Sequence, residues 1–221
     1  MNGHHFTLGG ADLVALNSGA LYWPSQSLLC VSDLHLGKSG RRGRLGEPTL
    51  PPYETRDTLI RLADAIEATS PRAVICLGDS FDDAVAADEL AETDLSTLAT
   101  LQAGRRWLWV EGNHDPGGLG PGGSHVAAYE LGPLRFCHVA CPDHKGEISG
   151  HYHPKATLRV KGRHISRPAF LVDKSRVILP AFGTYTGGLR TTDPALSQLM
   201  APDAVAIMTG AVAVAMPMQR R

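Results

Sequence analysis

Leu28-Leu-Cys-Val-Ser-Asp-Leu-His35, Ala73-Val-Ile-Cys-Leu-Gly-Asp79 and Arg106-Trp-Leu-Trp-Val-Glu-Gly-Asn113 share one design. Each is an apolar run of strand length that stops at a side chain able to ligate a metal. Apolar runs without alternation belong to strands covered on both faces, the habit of a parallel sheet. Between the first two lies Glu54–Ala68, with Leu59, Ile60, Leu62, Ala63 and Ile66 at helical spacing and Ser70-Pro71 as its stop. A second helix is expected over Glu89–Gln102. Strand, helix, strand, helix, strand predicts a right-handed parallel unit, whose ligands gather beyond the carboxyl ends of the strands.

Working outward, residues 4–8, 11–17 and 20–23 read as short strands leading into Leu28–Ser32. Downstream, the glycine-rich loop Gly117–Gly123 opens a different regime. Short strands are expected near 125–131, 134–139, 146–149, 156–160, 168–172, 176–179, 204–208 and 212–216, with turns at Lys161-Gly162 and Asp173-Lys174-Ser175. No repeat or linker divides the chain, so residues 1–221 read as a single domain. The expected fold class is α/β: a four-layer αββα sandwich, two mixed β-sheets face to face with helices outside and the polar clusters at one shared edge.

A chain of 221 residues is long enough for a substantial core. Its formal net charge of −1 argues against a surface coated in basic residues for duplex binding, so affinity for polyanions must be local. Lys38-Ser-Gly-Arg41-Arg42-Gly-Arg44, read as a loop, concentrates positive charge without an acid and follows the first ligand cluster closely. A solvated loop is the plain reading of such a run. The functional one is a phosphate-binding rim of Lys38, Arg41, Arg42 and Arg44, with arginine suited to bidentate phosphate contact. Cys30, Cys76 and Cys137 lie in apolar runs as ordinary buried thiols. Cys137 and Cys141 flank His138, but without a second pair they do not make a zinc site. No apolar run approaches the roughly 18 residues of a membrane span. The N-terminus has no basic head before an apolar stretch, so a cytoplasmic protein without membrane contact is expected.

Five clusters carry the chemistry: Asp33-Leu-His35, Gly78-Asp79-Ser-Phe-Asp82, Gly112-Asn113-His114-Asp115, His138, and Gly150-His151-Tyr-His153. Together they can hold two divalent cations a few ångströms apart with one carboxylate shared, an arrangement suited to in-line attack on phosphorus. In extended backbone, Asp33 and His35 would point the same way, as would His151 and His153. A carboxylate such as Asp79 has two oxygens and can bridge two cations, and Asn113 offers a neutral oxygen. His114 would face the substrate to donate a proton or stabilise negative charge. Asp82 and Asp83 are candidates to orient a neighbouring imidazole. Mixed oxygen and nitrogen donors favour Mn, Fe or Zn over Mg or Ca. A capping Asp or a core His would explain any one cluster, but five in series at strand ends defeat that reading.

In this order D-x-H, G-D-x-x-D, G-N-H-D, H and G-H-x-H resemble the motifs of the calcineurin-like metallophosphoesterases, from Asp33 to His153. The resemblance implies that Asp33, His35 and His153 hold one metal and that Asn113, His138 and His151 hold the other, with Asp79 bridging. It implies a metal-bridging hydroxide as nucleophile, His114 as the catalytic imidazole, and Asp82 as its orienting partner. A narrower similarity covers Asp33-Leu-His-Leu-Gly-Lys-Ser-Gly-Arg-Arg-Gly43, Leu50-Pro-Pro-Tyr53 and Ile178-Leu-Pro-Ala-Phe-Gly-Thr-Tyr-Thr-Gly-Gly-Leu189. These look like the bacterial PdeM group, the ligase-associated DNA damage response phosphodiesterases. That group carries His-Asp after Gly-Asp-Ser-Phe where this chain has Asp82-Asp83, which leaves both acids open as partners of His114. The similarity implies a Mn-dependent phosphodiesterase or endonuclease acting on DNA, with Fe, Zn or mixed metals as alternatives. It also implies DNA ligase, helicase and exonuclease partners. The competing readings are an enzyme of small phosphodiesters or nucleotide pyrophosphates, and a non-catalytic binding scaffold.

Overall fold

The computed structural model describes residues 2–48, 51–117 and 119–220. Leu50 of the Leu-Pro-Pro-Tyr segment and Gly118 of the glycine-rich loop lie outside them. The first sheet is laid down in chain order. β1 (Gly3–Leu8), β2 (Ala11–Leu16), β3 (Leu21–Trp23) and β4 (Leu28–Val31) form an antiparallel meander. β5 (Ala73–Leu77), β6 (Arg106–Val110) and β7 (Ser124–Val126) then add in parallel. The β4–β5 crossover carries α1 (Lys38–Arg44) and α2 (Glu54–Thr69), and the β5–β6 crossover carries α3 (Ala84–Asp88) and α4 (Glu92–Gln102).

The second sheet contains β8 (Ala128–Leu131), β9 (Leu134–Cys137), β10 (Glu147–Ser149), β12 (Arg163–Val172), β13 (Arg176–Ile178), β14 (Val205–Met208) and β15 (Val214–Pro217), while β11 (Lys155–Val160) pairs with β12 off its side. Its order is β15-β14-β12-β13-β10-β9-β8, with β9, β10 and β13 parallel and the other pairs antiparallel. One helix, α5 (Pro194–Leu199), covers its outer face.

Three apolar layers account for the stacking. Between the sheets, Leu13, Leu28, Ile75 and Leu108 of the first meet Phe136, Ile148, Phe170 and Ile207 of the second. On the outer face of the first sheet, Leu29, Val31, Val74 and Trp107 pack against Leu59, Leu62 and Ile66 of α2 and Leu98 of α4. On the outer face of the second, Leu171, Ile178 and Ala206 meet Leu196 of α5. Successive strand residues therefore go to opposite apolar layers, which is why these strands read as unbroken apolar runs. The molecule is the expected α/β sandwich of two mixed sheets flanked by helices, with few helices on the second side.

Several local expectations change. The basic loop is the helix α1, its start tied down by Glu54, whose carboxylate accepts from Ser39 N at 2.9 Å and Ser39 Oγ at 2.7 Å. The helix expected over Glu89–Gln102 is α4, starting at Glu92 because Ala91 is extended, and a separate short helix, α3, precedes it with Asp83 as its cap through Ala86 N. The strand expected near 125–131 is two, split at Ala127: β7 joins β6 in the first sheet and β8 joins β9 in the second. Helix α5 was signalled by Asp193-Pro194, where the Asp193 carboxylate accepts from Ala195 N at 2.9 Å and proline takes the first turn. Among the described residues no helix is long and apolar enough to cross a membrane.

Candidate metal centre

Every cluster lies where a strand ends. Asp33 and His35 follow β4, Asp79 follows β5, and Asn113 and His114 follow β6; His138 follows β9, and His151 and His153 follow β10. They assemble two groups able to hold a cation: Asp33, His35 and His153, and Asp79, His138 and His151. Within each group the donor atoms lie within 4.8 Å of one another. Asn113 joins the second, its Oδ1 3.0 Å from His138 Nε2. Each group therefore takes ligands from both sheets.

The convergence does not come from extended backbone, as the alternation argument supposed. Asp33, His35, Asp79, His151 and His153 have φ of 54°, 47°, 46°, 70° and 46°, all in the left-handed region. That region costs an L-residue about 1–2 kcal/mol, although Asp and His tolerate it better than most. The chain leaves each strand by turning sharply, and the turn itself aims the ligand. Two glycines make room. Gly78, at φ 71°, passes so close to His138 that a Cβ would sit 2.5 Å from Nδ1. A Cβ on Gly150 would overlap Ser32 Oγ and lie 2.6 Å from Asp33 Oδ2.

The imidazoles are held by their other nitrogens. His138 Nδ1 lies 2.8 Å from the Leu77 carbonyl, which can only accept, so Nδ1 carries hydrogen and Nε2 is free. His35 Nδ1 lies 2.8 Å from Asp82 Oδ1, which frees its Nε2 in the same way. This is the outer-shell pattern that orients metal-ligating histidines. His35 Nε2 then lies 3.4 Å from His153 Nε2, and His138 Nε2 lies 3.2 Å from His151 Nδ1. Nitrogen lone pairs converging at such distances are what a cation between them would satisfy. Asp33 Oδ1 is buried and makes no hydrogen bond, although His153 Nε2 is 3.0 Å away, and it too suits a cation. The donor set and its geometry fit two divalent metals.

Electrostatics point the same way. Burial pushes the Asp33 carboxyl upward, but His153 and His138 outweigh it and leave it below its ordinary value. Burial likewise opposes ionisation of Asp79, yet His138 and the His114 amide hold it far down. Burial lowers His138, and the carboxylates of Asp79 and Asp33 more than reverse that. His151 is lowered, first by burial and then by His138. Two ionised carboxylates are thus kept in a largely buried setting, where positive charge is most strongly attracted.

His114 sits beside both groups. Its backbone N donates to Asp79 Oδ1 at 2.8 Å, and its Nδ1 lies 3.0 Å from the backbone carbonyl of Asp82. Here the expected role of Asp82 changes. Its carboxylate is taken by His35, by Arg41 at 3.2 Å and by Lys38 at 3.6 Å, so it reaches His114 only through its main chain. Asp83 is not the partner either, because its side chain caps α3 and pairs with Arg44. Burial raises the Asp82 carboxyl, but the His35 hydrogen bond and the Lys38 and Arg41 charges bring it to about 2.

A cavity of about 250 Å³ opens beside His35, Asp82, His114 and His153, and Lys38, Arg41 and Arg42 line it with them. Arg44 does not. It points to the far side of α1, where Asp83 at 2.7 Å and Glu89 hold it. Two positioning residues were missed from sequence. Asp115 accepts from the backbone N of Asp79 at 3.0 Å, Ser80 at 2.7 Å and Gly112 at 2.9 Å, fixing two ligand turns at once. Its place directly after Gly-Asn-His was the available signal. Ser32 Oγ donates to Asp33 Oδ2 at 2.5 Å, and nothing in the sequence marked it.

A family model described as calcineurin-like phosphoesterase matches residues 27–174, more than half of the chain. The crystal structure of Pseudomonas putida nuclease MPE superposes with a TM-score of 0.75 at 27% identity, covering 96% of this chain and 100% of that one. A search of curated proteins gave no match. Because the matched segment contains all the ligand-type residues from Asp33 to His153, the chain belongs to the calcineurin-like phosphoesterase family and is a metal-dependent phosphoesterase.

Proposed function

We propose that this chain is a dinuclear-metal phosphodiesterase that cleaves DNA, with Mn as its working cation. The observation that carries the reading is the likeness to a nuclease over essentially the whole of both chains. Lys38, Arg41 and Arg42 line the cavity beside His114, so a phosphodiester bound there would meet positive charge at its scissile phosphate. A cytoplasmic setting, a single domain over 1–221, and work beside a DNA ligase, helicase and exonuclease belong to the same proposal.

In this reading Asp33, His35 and His153 would hold one metal and Asn113, His138 and His151 the other, with Asp79 available to both. When bound, the metals supply Lewis-acid activation of water and of the phosphoryl group. The chain's own residues do the rest. Asp82 and the Leu77 carbonyl fix the tautomers of His35 and His138, so that each presents Nε2. His114, its Nδ1–H donated to the Asp82 carbonyl, presents Nε2 to the leaving oxygen and, as the doubly protonated imidazolium, gives that oxygen its proton. Arg41, bound to the Asp82 carboxylate and 3.5 Å from His114 Nδ1, places positive charge beside that imidazole.

The test is Mn-reconstituted cleavage of single-stranded DNA, duplex DNA, cyclic nucleotides and dinucleoside polyphosphates. DNA should be cut, and His114→Ala should lower kcat/KM by about 10²–10⁴-fold while keeping its metals. Hydrolysis of the small nucleotides with DNA untouched would establish the small-substrate reading instead. A Mn-loaded protein with fewer than two metals and no turnover would make the chain a scaffold.

A further inference from the structure

The second ligand-bearing edge leads directly into a feature with no part in the metal centre. β11 begins two residues after His153, bridges Arg190 at Lys155 and otherwise pairs with residues 163–168 of β12; the rest of β12 pairs with β14 and β13. The base of the pair is anchored, with Ala156 buried and Leu158 packed in the outer apolar layer of the second sheet, and from Arg159 to Arg167 the two strands stand clear of it as a two-stranded ribbon. Its turn is tight, with Lys161 at φ 47° and Gly162 at φ 79°, the signature of a type I′ hairpin. Six paired residues at about 3.4 Å each give a ribbon of about 20 Å.

Its charge is one-sided. Lys155, Arg159, Lys161, Arg163 and Arg167 lie on it, and no Asp or Glu occurs between Glu147 and Asp173. The ribbon carries +5 in a chain whose total is −1, which leaves −6 for everything else. Residues 159–167 are all exposed. Among the described residues none of the five cations forms an ion pair. Register places Arg159 on one face opposite His164, and Arg163 and Arg167 on the other, so both faces are cationic. Charges this close repel each other, and nothing within the ribbon offsets them.

We infer that the β11–β12 ribbon is a docking arm for the phosphate backbone of the nucleic acid flanking the scissile bond. This rests on the nucleic acid reading proposed above. The occupant follows from the charge: a regular polyanion meets a row of unpaired guanidinium groups and releases counterions as it binds. The root of the ribbon lies two residues beyond His153, so a strand bound there starts next to the metal centre. A length of about 20 Å matches about six nucleotides at 3.4 Å per step, so the arm should serve long substrates and ignore very short ones. The rival explanation is that basic residues guard a free strand edge against pairing with another chain.

The test is binding of a single strand of about 20 nucleotides to the Mn-loaded full-length protein, with His114→Ala suppressing turnover, from roughly 50 to 200 mM salt. Arg159→Gln, Arg163→Gln and Arg167→Gln together should weaken binding at least about tenfold and lower the salt slope by about two. In the otherwise unaltered enzyme the same three changes should leave kcat/KM for an aryl phosphodiester within about twofold, since no ribbon residue reaches that substrate. The corresponding triple Arg→Lys protein should keep the slope, which separates charge from a folding defect. Unchanged affinity and slope in the glutamine protein would overturn the inference in favour of edge protection, and equal loss in the lysine protein would overturn it too. A wild type that hydrolyses the aryl diester but neither binds nor cleaves the strand refutes the nucleic acid reading itself, and is recognisable because there is then no slope to lose.

Discussion

In α1, Arg41 meets Asp82 at 3.2 Å and Asp83 at 3.8 Å, Arg42 meets Glu47 at 3.4 Å, and Arg44 meets Asp83 and Glu89. In the β11–β12 ribbon, five cations meet no acid among the described residues. The two regions carry similar charge and differ in wiring. The charge of α1 is spent inside the molecule, where Asp82 links it to the ligand His35. The charge of the ribbon is turned outward. A basic run is thus informative only once its counter-charges are located, and the denser run in sequence is the one whose charge is already answered.

The largest test of this contrast is Asp82→Ala. If α1 is wired into the metal centre, the loss frees Lys38 and Arg41 and leaves His35 unoriented. Metal content should fall and kcat/KM should drop about 10–100-fold on DNA and on an aryl phosphodiester alike. A loss confined to DNA would return α1 to the status of a substrate rim. Arg41→Ala comes next, with about a tenfold fall on both substrates, because the side chain adjoins Asp82 and His114 rather than distant phosphates. Arg163→Gln should do the opposite: KM for a long strand rises about threefold, while kinetics on the aryl diester stay unchanged.

Smaller still is Arg44→Ala. Its partners are surface acids away from the cavity, so activity should be unaltered and Tm should move by no more than about 2 °C. Acid gives a structural form of the same comparison. The folded Asp82 carboxyl lies near 2, below the ordinary value of about 3.9. Its contribution to stability is therefore fully present above pH ~4 and is lost as pH falls toward 2. Hydrogen-exchange protection, taken relative to the intrinsic rate at each pH, should fall across that window in α1 more than in the ribbon, which has no acid to titrate. Equal loss of protection in both would break the distinction.

The parts that could be read from sequence were those where local pattern and tertiary role agree. β4, β5 and β6 are buried on both faces, so they were written as plain apolar runs, and the residues that stop them are the ligands. Helix α2 likewise shows its buried stripe through Leu59, Leu62 and Ile66. What escaped was decided by partners distant in the chain. Asp82 could have served either neighbouring imidazole, and only the fold gives its carboxylate to His35 and its carbonyl to His114. The left-handed turns at Asp33 and His151 are tolerated by Asp and His, but no glycine at those positions marks them in the sequence. The ribbon's cations are interleaved with Val160, Gly162, Ile165 and Ser166, so no dense run announces them. Hairpin pairing is what gathers them.

One consequence follows from the way each ligand group straddles the sandwich. Asp33 and His35 come from one sheet and His153 from the other; Asp79 comes from one and His138 and His151 from the other. Mechanically, two cations seated there are a pair of rivets through two plates. Sliding one plate over the other would strain both rivets together, and removing both would leave the joint to the apolar layer and a few hydrogen bonds such as that of His138 to the Leu77 carbonyl. The metals of this enzyme would then be fasteners as much as reagents, gripping and letting go as a pair.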